Sequence, residues 1–323
     1  MQRRTFITGS AAACLQGPAW SQSSTWPVRP VRMLVGYPPG GSTDVAGRML
    51  AEQLARRLGQ QVLVENRAGA GGTVATSSVV RSEPDGYTLM LAASPEVSIA
   101  PITMKSMPYD PVQDLQPITL VGQVPFLLVV NPAVPANTLA EFIALAKSQT
   151  GRLNYSSFGN NTSNHLAGEL FKSLTGITST HIPYKGSGPS ITDLIGGQVQ
   201  YSFDAPPAVL EQVRAGRLRA LAVSGRQRLA IAPQIPTFAE AGLPQFSGGT
   251  WFGLFAPAKT PRAVVDRINA ETVSALNSPE LIKAFGDKGI VASPQTPEEL
   301  GRFVQNEVNK WKDLAAKVSI VAE

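Results

Sequence analysis

Short apolar runs of strand length alternate with amphipathic stretches along most of this chain, and no other feature limits the fold so strongly. "VRMLVGY" (31–37) and "QVLVEN" (61–66) read as strands followed by helical segments, and the alternation returns at "YTLMLAA" (87–93). Such an order predicts an α/β fold with a mainly parallel sheet. The helix opening at Ser42 places Val45, Met49, Leu50, Leu54 and Leu58 on one side and is expected to stop at Gly59, a suitable C′ residue.

A second series begins at "VPFLLVVNP" (124–132), apolar almost throughout and suited to a buried strand. A helix near 138–149, a strand at "LNYSS", a helix from Ser163 to Leu174 and a strand near "HIP" follow. Next come "SITDLIGG", "VQYSFD", "AVLEQVRAG" and "LRALAVS", then another long apolar run, "GTWFGLFAP" (249–257), and C-terminal helices. This is the pattern of one α/β unit inserted in another. Residues 26–124 and 254–323 are expected to form one lobe and 125–253 the other. Two long strands near 124–131 and 249–256 would cross between the lobes, with a cleft between them.

At 323 residues, 43% hydrophobic and 16% charged, the chain is large enough for two such lobes. Its opening, "MQRRTFITGSAAACLQGPAWSQ", carries Arg3 and Arg4, a weakly apolar run and the small-x-small step Ala19-Trp20-Ser21. Residues 1–22 are therefore expected to be an export signal, of the twin-arginine or the general secretory type. Cys14, the only cysteine, falls inside that leader, so the mature chain would have no disulfide or thiol chemistry. Cleavage is favoured over lipid attachment at Cys14, because Ala11 stands where a Leu-like residue is usual. The rest of the chain has no apolar run of membrane-spanning length. The formal charge of +5 becomes +5 − 2 = +3 without the two leader arginines. The basic residues are scattered without aromatic interleaving, which argues against a nucleic-acid partner.

The chemistry concentrates at strand-to-helix junctions. "YPPGGSTD" (37–44), "SSFGNNTSNH" (156–165) and "YKGSGPS" (184–190) each end a strand and supply glycines. Each then offers Ser, Thr, Asn or Asp as an expected N-cap. The first turn of a helix has unpartnered N–H groups and a partial positive charge, so such junctions attract anions without arginine or lysine. Two facing helix starts would grip a carboxylate from both sides, and in open α/β sheets ligands sit outside the carboxyl ends of strands. "YPPGGSTD" is not a phosphate loop, since the Gly-Lys-Ser/Thr step is missing. "ENRAGAGG" (65–72) lacks the third glycine of a dinucleotide fingerprint, and a cleft-lining loop or turn is expected instead.

Enzyme chemistry is poorly supplied. His165 and His181 are the only histidines, and with no mature cysteine no spaced metal-ligand cluster or cofactor is expected. A Ser/His hydrolase using Ser187 or Ser163 with His165 is the enzymatic alternative, but no G-x-S-x-G elbow is present. Asp44 is expected in a first helical turn, where it favours the dipole. Asp204 in "FDAPPAV" ends a strand, as an N-cap or as a cleft contact. Facing the cleft, it would accept from a hydroxyl, an amine, water or a protonated carboxyl and repel a bare carboxylate.

"YPPGGSTDVAGRMLAEQL", "VENRAGAGGTVA", "DGYTLMLA", "NHLAGELFKSLTG", "HIPYKGSGPSITDLIGGQVQ", "GRLRALAVS" and "IPTFAEAGLP", in this order, resemble the Bug-type periplasmic receptors of tripartite tricarboxylate transporters. The resemblance implies a two-lobed periplasmic-binding-protein fold, type II-like. It would close on a small organic carboxylate (di- or tricarboxylate, acidic amino acid or aromatic carboxylate) and present it to the membrane subunits of the transporter. A monomer is implied, with a membrane sensor kinase as the alternative partner. In such receptors the loops matching Gly40, Gly41, Ser42, Thr43 and Asp44, and Gly159, Asn160, Asn161, Thr162 and Ser163, cradle one ligand carboxylate through N–H groups, hydroxyls and waters. Tyr37 and His165 flank these loops, and positions matching Ser94, Lys185, Ser187 and Asp204 would meet the distal end of the ligand. Phe158 and Asn161 stand where small residues are commoner.

Overall fold

The computed structural model describes residues 26–317, so the export signal and Cys14 lie outside the described residues. The chain opens with β1 (Val31–Val35), α1 (Ser42–Leu58), β2 (Val62–Asn66), α2 (Thr73–Val80) and β3 (Thr88–Ala93), the expected alternation. A π-helical turn (Pro95–Ile99) runs into α3 (Ala100–Thr103), and β4 (Leu115–Pro125) follows. The second series comprises β5 (Leu127–Val130), α4 (Leu139–Ser148), β6 (Leu153–Ser157), α5 (Ser163–Thr175), β7 (Ser179–Pro183), α6 (Ser187–Ile195), β8 (Tyr201–Asp204), α7 (Pro206–Arg214) and β9 (Arg219–Val223). β10 (Gly249–Pro257), α8 (Arg262–Leu276), α9 (Pro279–Gly286), β11 (Val291–Ala292) and α10 (Pro297–Ala315) complete the described chain.

Local chemistry sets the helix ends. Gly59 ends α1 at φ 66°, donating its N–H to Ala55 O, the left-handed stop that its position predicts. Leu50, Leu54 and Leu58 of α1 are buried against Met33, Val35 and Leu91, whereas Val45 and Met49 are only half-buried at the margin of that stripe. Thr296 and Glu299 start α10 with reciprocal side-chain to backbone bonds.

The strands form two sheets, ordered β11-β4-β10-β3-β1-β2 and β7-β6-β8-β5-β9. Both are mixed rather than mainly parallel. β1 runs parallel to β2 and β3, but β10 runs antiparallel to β3 and β4. In the second sheet β6 is parallel to β7 and β8, and β5 is antiparallel to β8 and β9. The cause is topological. The chain leaves the first sheet at the carboxyl end of β4 and re-enters at the same edge, so β10 must run back against its neighbours. β5 likewise enters the second sheet at the edge where β6 and β8 end.

The run expected as one strand at 124–132 is split: Phe126 alone separates β4 in the first sheet from β5 in the second. The return passage lies immediately before β10, which pairs within the first sheet along its length. Gly249 pairs with Pro125, so the two passages run side by side. Only glycine suits that point, since Gly249 has φ 146° and a Cβ there would lie 2.9 Å from Val124 O. The carboxyl-end edges of the two sheets therefore face each other across one narrow double crossing.

Apolar side chains cover both faces of each sheet. A smaller cluster joins the units, with Ile99, Trp311 and Leu314 packed on Leu166 of α5. Beside β1, a Cβ on Gly36 would sit 2.6 Å from Gly72 Cα, a backbone atom that cannot swing aside. Gly36→Ala is therefore expected to lower stability by about 1–3 kcal/mol, measured as a fall in the urea unfolding midpoint at unchanged slope.

Candidate functional site

The facing edges gather the loops that follow β1, β3, β6, β7 and β8, which carry the residues expected to bind ligand. At the first junction α1 begins at Ser42 with Gly41 as its N-cap, and no side chain caps it. The Ser/Thr/Asp cap expected there is displaced because the helix starts before those side chains, so they lie in its first turn. Its leading N–H groups are consequently left for another acceptor. Gly40, Gly41 and Ser42 are exposed, while Thr43 and Asp44 are buried.

Asp44 braces this loop. It accepts from Gly40 N (2.9 Å), Arg48 Nε (3.0 Å) and Asn66 Nδ2 (2.8 Å), and Asn66 also donates to Tyr37 O (2.9 Å). Burial favours the neutral carboxyl, but Arg48, Gly40 and Asn66 outweigh it and hold Asp44 below its usual value. Both of its oxygens are engaged.

At the second junction Thr162 is the N-cap of α5, accepting from His165 N (3.4 Å), while its hydroxyl lies 2.7 Å from Gly159 O. Asn161 takes φ 58°. His165 Nδ1 accepts the Asn161 N–H (3.0 Å), which puts the proton of the neutral ring on Nε2. His165 stacks on His181 with ring centroids 3.9 Å apart, and His181 Nε2 lies 2.5 Å from Ser157 Oγ. Burial lowers both histidines, His181 to about 4 with His165 adding to its burial. Both rings are therefore neutral at pH 7. His165 holds the loop in shape, and His181 supports it from below.

Gly186 starts α6 without a side-chain cap, against the Ser cap expected, because Ser187 is already its first helical residue. Lys185 is exposed at this turn and Ser187 Oγ is buried without a protein partner. Ser94, at the end of β3, is buried and lies 3.0 Å (Oγ to Oγ1) from Thr250 at the start of β10. Asp204 is fully buried at the end of β8, and its Oδ1 accepts Ala205 N (2.8 Å). It does not cap α7, whose N-cap is Ala205.

A family model described as "Tripartite tricarboxylate transporter family receptor" matches residues 46–320. The chain belongs to that family. It is similar to BugT of Bordetella pertussis (strain Tohama I), at 40% identity over 96% of both chains. Two solved receptors share its fold. One is R. palustris Rpa4515 with adipate, at 32% identity and TM-score 0.80, over 92% of this chain and 100% of that one. The other is MatC from Rhodopseudomonas palustris with bound malate, at 32% identity and TM-score 0.74, over 90% of this chain and 99% of that one. The family is one of periplasmic solute-binding receptors, and no described helix is long and apolar enough to cross a membrane.

Within this receptor fold, neither serine of the hydrolase alternative pairs with His165 among the described bonds: the close Ser–His pair is Ser157 with His181. Sequence reasoning also missed Glu96. No motif singles it out, yet Glu96 is fully buried, accepting from Tyr37 Oη (2.6 Å) and Ala93 N (2.6 Å). It thereby fixes Tyr37 beside the first loop. Burial raises Glu96 to about 7, with Tyr37 and Ala93 opposing the rise.

For Glu96 the native state keeps a proton that the unfolded chain loses between pH 4.5 and about 7. Stability should therefore fall across that window by about 3 kcal/mol in total and stay level above it. His165 and His181, held low, act in the opposite direction below pH 6.5. The difference between the wild type and Glu96→Gln in urea unfolding, followed from pH 4.5 to 8, isolates the Glu96 contribution. The variant is expected to gain relative stability as pH rises.

Proposed function

We propose that this chain is a periplasmic receptor that captures a small organic carboxylate between its two sheets by hinge closure and delivers it to the membrane subunits of a tripartite tricarboxylate transporter. The observation that carries this reading is the pair of helix starts, of α1 and α5, at facing strand edges. One of them has no side-chain cap at all. The amide groups of Gly41 to Asp44 meet the ligand carboxylate from one side, and those of Thr162 and Ser163 at the start of α5 meet it from the other. No side-chain cation is required, because amides already fixed by folding supply the partial charge and need no reorganisation on binding. The two passages at Phe126 and just before Gly249 serve as the hinge, and short inter-sheet links of this kind suit rigid-body closure. The adipate and malate in the two related structures support a di- or tricarboxylate ligand class.

A thermal-shift panel of carboxylates on ligand-free protein tests the reading. A true ligand at about 100 times its Kd adds about 2.7 kcal/mol of stability. A flat response to di- and tricarboxylates, acidic amino acids and aromatic carboxylates alike would sink it. Gly41→Asp separates binding from folding: Asp is a good N-cap and leaves stability within roughly a few tenths of a kcal/mol. Its charge at the mouth of α1 is expected to weaken carboxylate binding by about tenfold or more, read by calorimetry.

A further inference from the structure

Glu96 is fully buried where three loops of the first unit meet. Its Oε1 accepts Ala93 N at the end of β3, and its Oε2 lies 2.6 Å from Tyr37 Oη in the loop that leads to α1. Tyr37 Oη also lies 3.2 Å from Gly71 O, at the tip of the loop before α2. One phenol thus stands between a carboxyl and a backbone carbonyl.

The loop it reaches has little else to fix it. Gly69, Ala70, Gly71 and Gly72 all take positive φ (149°, 44°, 62° and 97°), and Ala70 does so at a steric cost that a glycine would not bear. Gly69, Ala70 and Gly71 are exposed. Gly72 N donates to Gly69 O (3.0 Å) and Thr73 Oγ1 to Ala70 O (2.9 Å), bonds local to the loop, whereas Tyr37 joins it to the loop before α1. Gly72 also makes room for the acid, since a Cβ there would lie 2.7 Å from the Glu96 carboxyl carbon.

We propose that Glu96 and Tyr37 form a proton-operated latch: a proton on Glu96 ties the loop before α2 to the loop before α1 through Tyr37 and Gly71, its loss releases them, and carboxylate capture therefore takes up a proton. The inference rests on the carboxylate-receptor reading above and adds its regulation. The chemistry follows from which groups can donate. Ionised Glu96 offers only acceptors, so the Tyr37 O–H turns to Oε2 and Gly71 O loses that donor. With Oε1 occupied by the Ala93 N–H, an arriving proton sits on Oε2 and is donated to Tyr37 Oη, which frees the phenol O–H for Gly71 O. Such a chain strengthens each of its members. A carboxylate at the start of α1 favours the same state, because it disfavours a second negative charge nearby.

The surroundings add no competing charge. Tyr37 and Tyr109, whose Oη donates to Glu96 O (2.7 Å), are the titratable groups that face Glu96, and burial raises both phenols, so they stay neutral. α10 packs Val304 and Val308 with Val97 of the same turn, and its Glu307 and Lys310 bond each other. No arginine or lysine among the described residues opposes the burial that raises Glu96 to about 7.

Carbon NMR of the purified full chain without ligand tests the latch. The Glu96 carboxyl carbon and the Gly71 carbonyl carbon are expected to titrate together between pH 6 and 8, and Tyr37→Phe, which lacks the hydroxyl, should remove the response at Gly71. Calorimetry with malate and with adipate, in two buffers of different ionisation enthalpy, tests the coupling. Uptake on the order of a few tenths of a proton per ligand is expected at pH 7, with affinity falling about threefold or more from pH 6 to 8. Both effects should vanish in Glu96→Gln, whose amide keeps a donor at every pH, and circular dichroism checks that each variant is folded. A Gly71 signal indifferent to the Glu96 titration would overturn the latch, whatever binds. A joint titration with pH-independent affinity and no proton uptake would overturn the coupling while leaving the clamp intact. If neither these acids nor any other carboxylate binds, clamp and coupling both fall, and the ligand-free titration still decides the latch.

Discussion

Everything about this molecule depends on how the backbone moves from one sheet to the other. It does so twice, at adjacent points, with one residue between β4 and β5 and a glycine at the return. Because both passages occur at the carboxyl ends of parallel strands, the strand-to-helix junctions of the two units are turned toward each other. In a single open sheet such junctions form one row. Here two rows oppose, and any ligand between them meets helix starts from two directions.

Opposed helix starts confer affinity only if their loops hold still, and much of the buried polar chemistry serves that end. Asp44 ties Gly40, Arg48 and Asn66 together, Glu96 holds Tyr37, and neutral His165 accepts the backbone N–H of Asn161. These groups act on the shape of the loops. A clamp made from amides loses little to side-chain entropy and tolerates variety in the remainder of the ligand. In the receptor proposed above, discrimination among acids then comes from outside the clamp.

The order of elements was legible because periodicity reports local burial, and the starts of α1 and α5 stand out as Gly-rich polar breaks before amphipathic runs. Strand direction was not. Whether β10 lies parallel or antiparallel to β3 depends on where the chain re-enters the sheet, a long-range property to which "GTWFGLFAP" gives no clue. The split at Phe126 escaped notice for a similar reason, since both halves of the run are buried. Candidate loops could be found from their glycines and hydroxyls, but the roles within them could not. Glu96 belongs to no recognisable motif until its burial is known, and the burial that raises Asp204 well above its usual value is equally invisible in the local sequence.

The apolar contact of Trp311, Leu314 and Ile99 with Leu166 adds a third attachment between the units, beside the two backbone passages. Under the closure proposed above, such attachments turn free tumbling into a swing, as hinges confined to one edge do for a door. The strands farthest from them, β2 in one sheet and β7 in the other, then travel the longest arc. Residues near Ser94 and Thr250, close to the axis, would scarcely move.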